Sequence, residues 1–118
     1  MTAYAVAHLQ PPARLDDEVF AYMERIQATM EPYGGRFLVH GANVEVVEGD
    51  WPGALVIVAF PGMREAREWY ASDAYRALIP LRTRHMPGDI VLAEGVGPDY
   101  DAAGTAAHLR RAQGTPAA

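Results

Sequence analysis

The sequence predicts one α+β domain in which four strands and two helices follow in the order strand, helix, strand, strand, helix, strand. The run Ala54 to Phe60, ALVIVAF, is apolar at every position, as a central strand covered on both faces requires. Leu15 to Met30 and Arg64 to Ile79 place their apolar residues at helical spacing. Between the elements stand Pro11-Pro12, Gly34-Gly35, Pro61-Gly62 and Pro87-Gly88, which interrupt regular backbone.

In chain order, Thr2 to Leu9 alternates Tyr4, Val6 and His8 with Ala3, Ala5, Ala7 and Leu9, a strand with two differently populated faces. The prolines then stop it. Val19, Tyr22, Met23, Ile26 and Met30 form the apolar stripe of the first helix, and Asp16, Asp17 and Glu18 suit the positive end of its dipole, with Asp16 or Asp17 near the cap. Pro32 removes a backbone donor and Gly34-Gly35 accepts the left-handed exit, so the helix ends there. Arg36 to His40 reads as a short strand, with Phe37 and Val39 on one face and Arg36, Leu38 and His40 on the other. Val44 to Val47 is expected to form a further extended stretch or a bulged continuation, before the turn Glu48-Gly49-Asp50. The second helix carries Ala66, Trp69, Tyr70, Ala77 and Leu78 on its apolar stripe. Ser72-Asp73 can interrupt it, because both side chains compete for backbone hydrogen bonds, and Pro80 can end or kink it. Asp89 to Val96 is the last strand. Past Gly97 the composition shifts to Ala, Gly, Thr and Pro, and Ala102 to Gln113 can make one short helix. The expected organisation is a domain over residues 1–97 and a flexible extension over 98–118, mobile or borrowed by a partner subunit.

The chain's 118 residues suffice for a single core, and 50% apolar with 21% charged residues is an ordinary globular balance. A net charge of −5 with no basic stripe argues against nucleic acid as a partner. Arg82 with Arg84 and Arg110 with Arg111 are the only basic clusters. Cysteine is absent, which excludes disulfides, thiolate catalysis and cysteine-ligated metals. Neither a leader peptide nor an apolar run of membrane-spanning length is visible, so a cytoplasmic protein is expected.

Four antiparallel strands with both helices on one face leave the other face open. The strand Ala54 to Phe60 supplies Leu55, Ile57 and Ala59 to one face and Val56, Val58 and Phe60 to the other. A doubly apolar strand in a two-helix domain calls for a second sheet, and a homodimer packed through sheet faces would provide it.

With these elements in place the chain resembles the domain-of-unknown-function 1330 family, within the ferredoxin-like dimeric α/β barrel superfamily. The resemblance rests on Tyr33-Gly34-Gly35-Arg36-Phe37-Leu38, on Glu48-Gly49 with Trp51-Pro52, and on the strand Val56 to Phe60 followed by Pro61. It continues through Ala66, Trp69-Tyr70, Ser72, Tyr75 and Arg82 to Glu94-Gly95-Val96. His40 stands where that family usually carries arginine, and Ala59 where it often carries an acidic residue. The resemblance implies a ferredoxin-like βαββαβ fold, a four-stranded antiparallel sheet with two helices on one face, paired into a dimeric α/β barrel. It also implies a ligand seated between sheet and helices. The wider superfamily contains cofactor-free monooxygenases, isomerases, polyketide cyclases and some haem proteins, which supplies a menu of chemistries and no choice among them.

Histidine titrates near neutrality, so His40, His85 and His8 are candidates for proton transfer. His40 shares its expected strand face with Arg36, an arrangement in which Arg36 holds a carboxylate or enolate while His40 moves a proton; an exposed polar strand face is the plainer alternative. Arg82 and His85 are three apart, and an arginine there suits an anionic ligand group or a structural salt bridge to Glu94 or Asp89. Trp69 and Tyr75 can line a pocket, with the Tyr75 hydroxyl donating, or simply fill the core. Tyr4 and His8 on the first strand carry the same ambiguity. The expected site is therefore His40, His85 and Tyr75 as catalytic groups and Arg36, Arg82, Trp69, Tyr4 and His8 as ligand-binding groups, with no metal motif and no cofactor. The expected function is a cofactor-independent enzyme acting on a small carbonyl or aromatic metabolite by acid/base isomerisation, cyclisation or lactone formation. A cofactor-free monooxygenase and a non-catalytic small-ligand-binding protein are the alternatives.

Overall fold

The computed structural model describes residues 1–41 and 44–114. Strand β1 (Ala3–Leu9) leads to helix α1 (Asp17–Met30), capped by Asp16, whose carboxylate accepts from the Glu18 backbone N–H at 2.9 Å. A 3₁₀ turn at Glu31–Tyr33 follows and leaves through Gly34 at φ 73°, the left-handed backbone that glycine tolerates. The next glycine serves a close approach: a Cβ on Gly35 would sit 2.6 Å from the Phe60 ring. Strands β2 (Arg36–His40) and β3 (Ala54–Phe60) come next, and Val44 to Val47 forms no strand.

The single helix expected over Arg64 to Ile79 is two, α2 (Met63–Ala71) and α3 (Asp73–Thr83). Ser72 separates them. Its hydroxyl donates to the Trp69 carbonyl at 2.7 Å and accepts from the Tyr75 N–H at 3.3 Å, closing one helix and capping the next. Pro80 lies inside α3 without ending it. Strand β4 (Gly88–Glu94) completes the sheet, and helix α4 (Ala102–Gln113), none of its residues buried, lies within the segment read as a flexible extension that could make one short helix.

The sheet is antiparallel in the order β2-β3-β1-β4, so β3 and β1 are central. With the helices layered on it, this is the expected ferredoxin-like α+β fold. Its inner face pairs Ala3, Ala5 and Ala7 of β1 with Phe60, Val58 and Val56 of β3, and these pack with Tyr22, Ile26, Trp69, Tyr75 and Leu78 of the helices. The opposite face leaves Val6, Leu55 and Ile57 partly exposed and Val91 57% exposed. No helix among the described residues is long and apolar enough to cross a membrane.

One register detail overturns an expectation. Phe37 pairs with Val58 and Val39 with Ile57, so β2 carries an extra residue around Leu38. Strict alternation would put Arg36 and His40 on one face. The bulge reverses the parity between them: His40 pairs with Val56 and joins Phe37 on the inner face, the two rings stacking at 4.8 Å, while Arg36 pairs with Ala59 on the outer face. The Arg36–His40 constellation therefore does not exist.

Candidate functional site

Between the inner face and the helices lies a cavity of about 290 Å³. Its origin is in β1. Ala5 and Ala7 project one carbon each where larger side chains would fill the gap to α1, and Val56, Val58 and Ile90 flank them. The helices contribute Val19, Tyr22, Met23 and Ile26 from α1 and Tyr75 and Arg82 from α3, with Trp69 from α2. The lining is predominantly apolar with a few polar groups, the composition usual for small-molecule sites, and the volume lies near the low end of their range of roughly 300–1,000 Å³.

The polar groups occupy two ends of this space. At the exposed end stands His40, against Phe37. At the buried end the Tyr22 and Tyr75 hydroxyls bond each other at 2.7 Å, and the Arg82 guanidinium lies 5.7 Å over the Tyr22 ring. Burial, foremost, and the neighbouring Tyr22 push the Tyr75 phenol far above its ordinary range; Arg82 opposes this only in part. For Arg82 burial is the largest influence and pulls the pKa down, but the oxygens of Tyr22 and Tyr75 together outweigh it, leaving the group above its ordinary value and cationic. It is only 4% exposed and is the sole buried charged residue among those described. Its Nε has no hydrogen-bond partner, and no carboxylate pairs with it among the described residues, so the salt bridge to Glu94 or Asp89 does not form.

Of the residues expected at the site, the cavity collects His40, Tyr75, Trp69 and Arg82. Trp69 also serves the core, donating its indole N–H to Thr29 Oγ1 at 3.0 Å and packing 4.2 Å from the Tyr75 ring. The other four lie elsewhere. Tyr4 and His8 sit on the outer face with Val6, because β1 alternates strictly and its alanines point inward. His8 stacks on Trp51 at 4.3 Å and bonds the Pro52 carbonyl, holding the segment before β3 against β1. Arg36 is on the outer face for the reason given above. His85 lies just past α3 and outside the cavity lining; its Nε2 bonds Glu18 at 2.8 Å and lies 3.5 Å from Asp16. Arg84 bonds Glu18 as well, at 2.9 Å, so these contacts tie the start of α1 to the end of α3. Asp16, Glu18 and His85 do bring three metal-capable atoms within 4.8 Å of one another, a grouping that no sequence spacing reveals.

Tyr22 is the residue that sequence reasoning placed in the core stripe and missed as a site group. Its signal was a hydroxyl within an otherwise aliphatic and Met-rich stripe, which a buried position obliges to find a partner.

The family model described as Domain of unknown function (DUF1330) matches residues 2–96. The chain belongs to this family. The match covers this DUF1330 protein from β1 through β4 and leaves α4 outside it. No curated protein matches the sequence. Among solved structures, a protein of unknown function from Rhodopseudomonas palustris is similar, with 16% identity, a TM-score of 0.62, and coverage of 82% of this chain and 84% of that one. SnoaB, a cofactor-independent oxygenase from Streptomyces nogalater, is similar at 11% identity and a TM-score of 0.57, with 85% of this chain and 98% of that one covered. A dimeric ferredoxin-like protein of unknown function from Thermobifida fusca is similar at 15% identity and a TM-score of 0.56, covering 80% and 92%. At these identities the likeness speaks for the fold.

Proposed function

We propose that this DUF1330 protein is a cofactor-independent enzyme for a small, largely apolar carbonyl or aromatic compound, with the cavity as its active site and His40 as its acid/base group. The observation that carries the reading is an apolar cavity of about 290 Å³ with a histidine at its open end and a cluster of hydrogen-bond donors at its closed end. In such a space His40 takes a proton from a carbon next to a carbonyl and returns it at another position. Tyr22, Tyr75 and Arg82 fix the polar end of the ligand, and Trp69 and Phe37 form flat walls. Isomerisation, cyclisation and lactone formation all fit this proton movement.

The same carbanion is the species that reacts with dioxygen in a cofactor-free oxygenase, and the likeness to SnoaB favours keeping that chemistry as the second reading. A non-catalytic binding protein would use the cavity without His40. The outer face supports a homodimer: it is apolar and partly exposed, and the similar Thermobifida fusca protein is dimeric.

Deuterium exchange at carbons next to carbonyl groups, followed by NMR over a panel of aryl ketones and keto acids, tests the reading. The wild type exchanges at least one compound and His40→Ala does not. Full exchange by His40→Ala defeats the role of His40, binding without exchange or product supports the non-catalytic alternative, and stoichiometric oxygen consumption selects the oxygenase.

A further inference from the structure

We infer that the ligand of the cavity is an organic monoanion, a carboxylic acid with an aromatic or branched apolar body, which enters with its carboxylate against Arg82 and leaves its far end beside His40. The inference rests on reading the cavity as a ligand site and adds the class and orientation of what fills it.

Arg82 is the starting point. A cation held at 4% exposure ordinarily has a carboxylate beside it, since an uncompensated buried charge is costly. Here the guanidinium has for company two phenols, and burial keeps the Tyr75 phenol in its neutral form. The buried Nε–H has no acceptor at all. The hydroxyl pair adds a second vacancy: in a Tyr22–Tyr75 hydrogen bond one O–H is used as donor, and the other O–H still has a proton to give. The closed end of the cavity thus holds, in or just behind its lining, a guanidinium whose buried Nε–H lacks an acceptor and a phenolic O–H with a proton to give, with no negative charge to receive them. A planar carboxylate has two oxygens for two donors and one charge for one cation.

The rest of the cavity fixes the body of the ligand. Ala5, Ala7, Val56, Val58 and Ile26 offer only carbon to it, so a second charged group would be stranded there. A phosphate monoester or a dicarboxylate is disfavoured on the same ground. With the carboxylate at the closed end, the apolar body crosses the two alanines and its other end reaches the exposed rim, where His40 stands.

Benzoate and its neutral isostere benzamide are the probes, applied to the full-length protein by thermal shift and by ¹⁵N NMR of arginine Nε–H groups. Benzoate is expected to stabilise the protein saturably and benzamide to bind at least tenfold more weakly. Arg82→Met should weaken benzoate by ~30-fold or more, as loss of one partner of a buried charge pair does, and erase the preference for the acid. Tyr22→Phe should weaken benzoate by several-fold. Should Arg82→Met fail to fold, the wild-type Arg82 Nε–H resonance decides, since it must move with benzoate and stay with benzamide. Equal binding of the two probes, binding of neither, or an unmoved Arg82 resonance at saturating benzoate overturns the inference. His40→Ala separates it from the catalytic reading, because that variant should lose proton exchange while still preferring benzoate to benzamide. Exchange retained by His40→Ala with the Arg82 dependence intact would sink only the catalytic role; exchange lost with no acid preference would sink only the inference here.

Discussion

The two faces of the sheet are made from the same strands and put to opposite uses. On the inner face β1 contributes alanines, and the space they leave under α1 becomes a cavity with a cationic closed end. On the outer face the same strand contributes Tyr4, Val6 and His8, and β3 adds Leu55 and Ile57, so large side chains reach outward, and among the described residues Val6, Leu55 and Ile57 stay partly exposed. Small residues inside make room, and larger residues outside stay partly exposed. One irregular residue in β2 decides which face receives which polar group: without the parity change around Leu38, His40 would lie beside Arg36 and away from the cavity.

If the faces divide the work in this way, substitutions on one should spare the other. The largest effect is expected from Ile57→Asp, which places a carboxylate at the centre of the outer face; sedimentation should show the proposed homodimer loosened by on the order of 100-fold or more, because a charge buried against an apolar partner face would have no compensation. Ligand binding in the monomer should persist, and a loss of both at once would break the division. Next comes Ala7→Leu on the inner face. Its added carbons fill the cavity, so benzoate stabilisation should fall by about tenfold or more at unchanged dimer affinity and with far-ultraviolet circular dichroism intact.

Smaller effects sharpen the closed end. Tyr75→Phe strands the buried Tyr22 hydroxyl and should lower unfolding stability by about 1–3 kcal/mol in a denaturant titration. The pH dependence follows from the same residue. The phenol of Tyr75 is raised in the folded state, so above about pH 10 the unfolded chain gives up a proton that the folded chain keeps. Stability from this group is complete below that pH and declines as pH rises beyond it. The melting temperature should therefore fall between about pH 9 and 11, less steeply in Tyr75→Phe than in the wild type.

Most of the backbone was legible because local rules act on neighbouring residues. Alternation marked β1, the doubly apolar run marked β3, and the acidic run from Asp16 marked the start of α1 to within a residue, whereas Ser72-Asp73 signalled only that one long helix could be interrupted, where the chain makes two. The site was legible in part. His40, Tyr75, Trp69 and Arg82 could be picked out as chemically capable, but the pairing that matters, Tyr22 with Tyr75, joins residues 53 apart and needs the packed helices to exist. The placement of Arg36 turned on a bulge, and nothing in RFLVH announces one. His85 belongs to a polar cluster with Asp16 and Glu18, contacts that depend on how the end of α3 lies against the start of α1.

The most direct measurement is a crystal structure of the wild-type protein grown with benzoate. The account predicts the ring lying over Ala5 and Ala7, the carboxylate within hydrogen-bond distance of Arg82 Nε and a tyrosine hydroxyl, and the opposite edge of the ring turned toward His40. Benzoate on the outer face, or in the cavity with its carboxylate turned to His40 and away from Arg82, would contradict it.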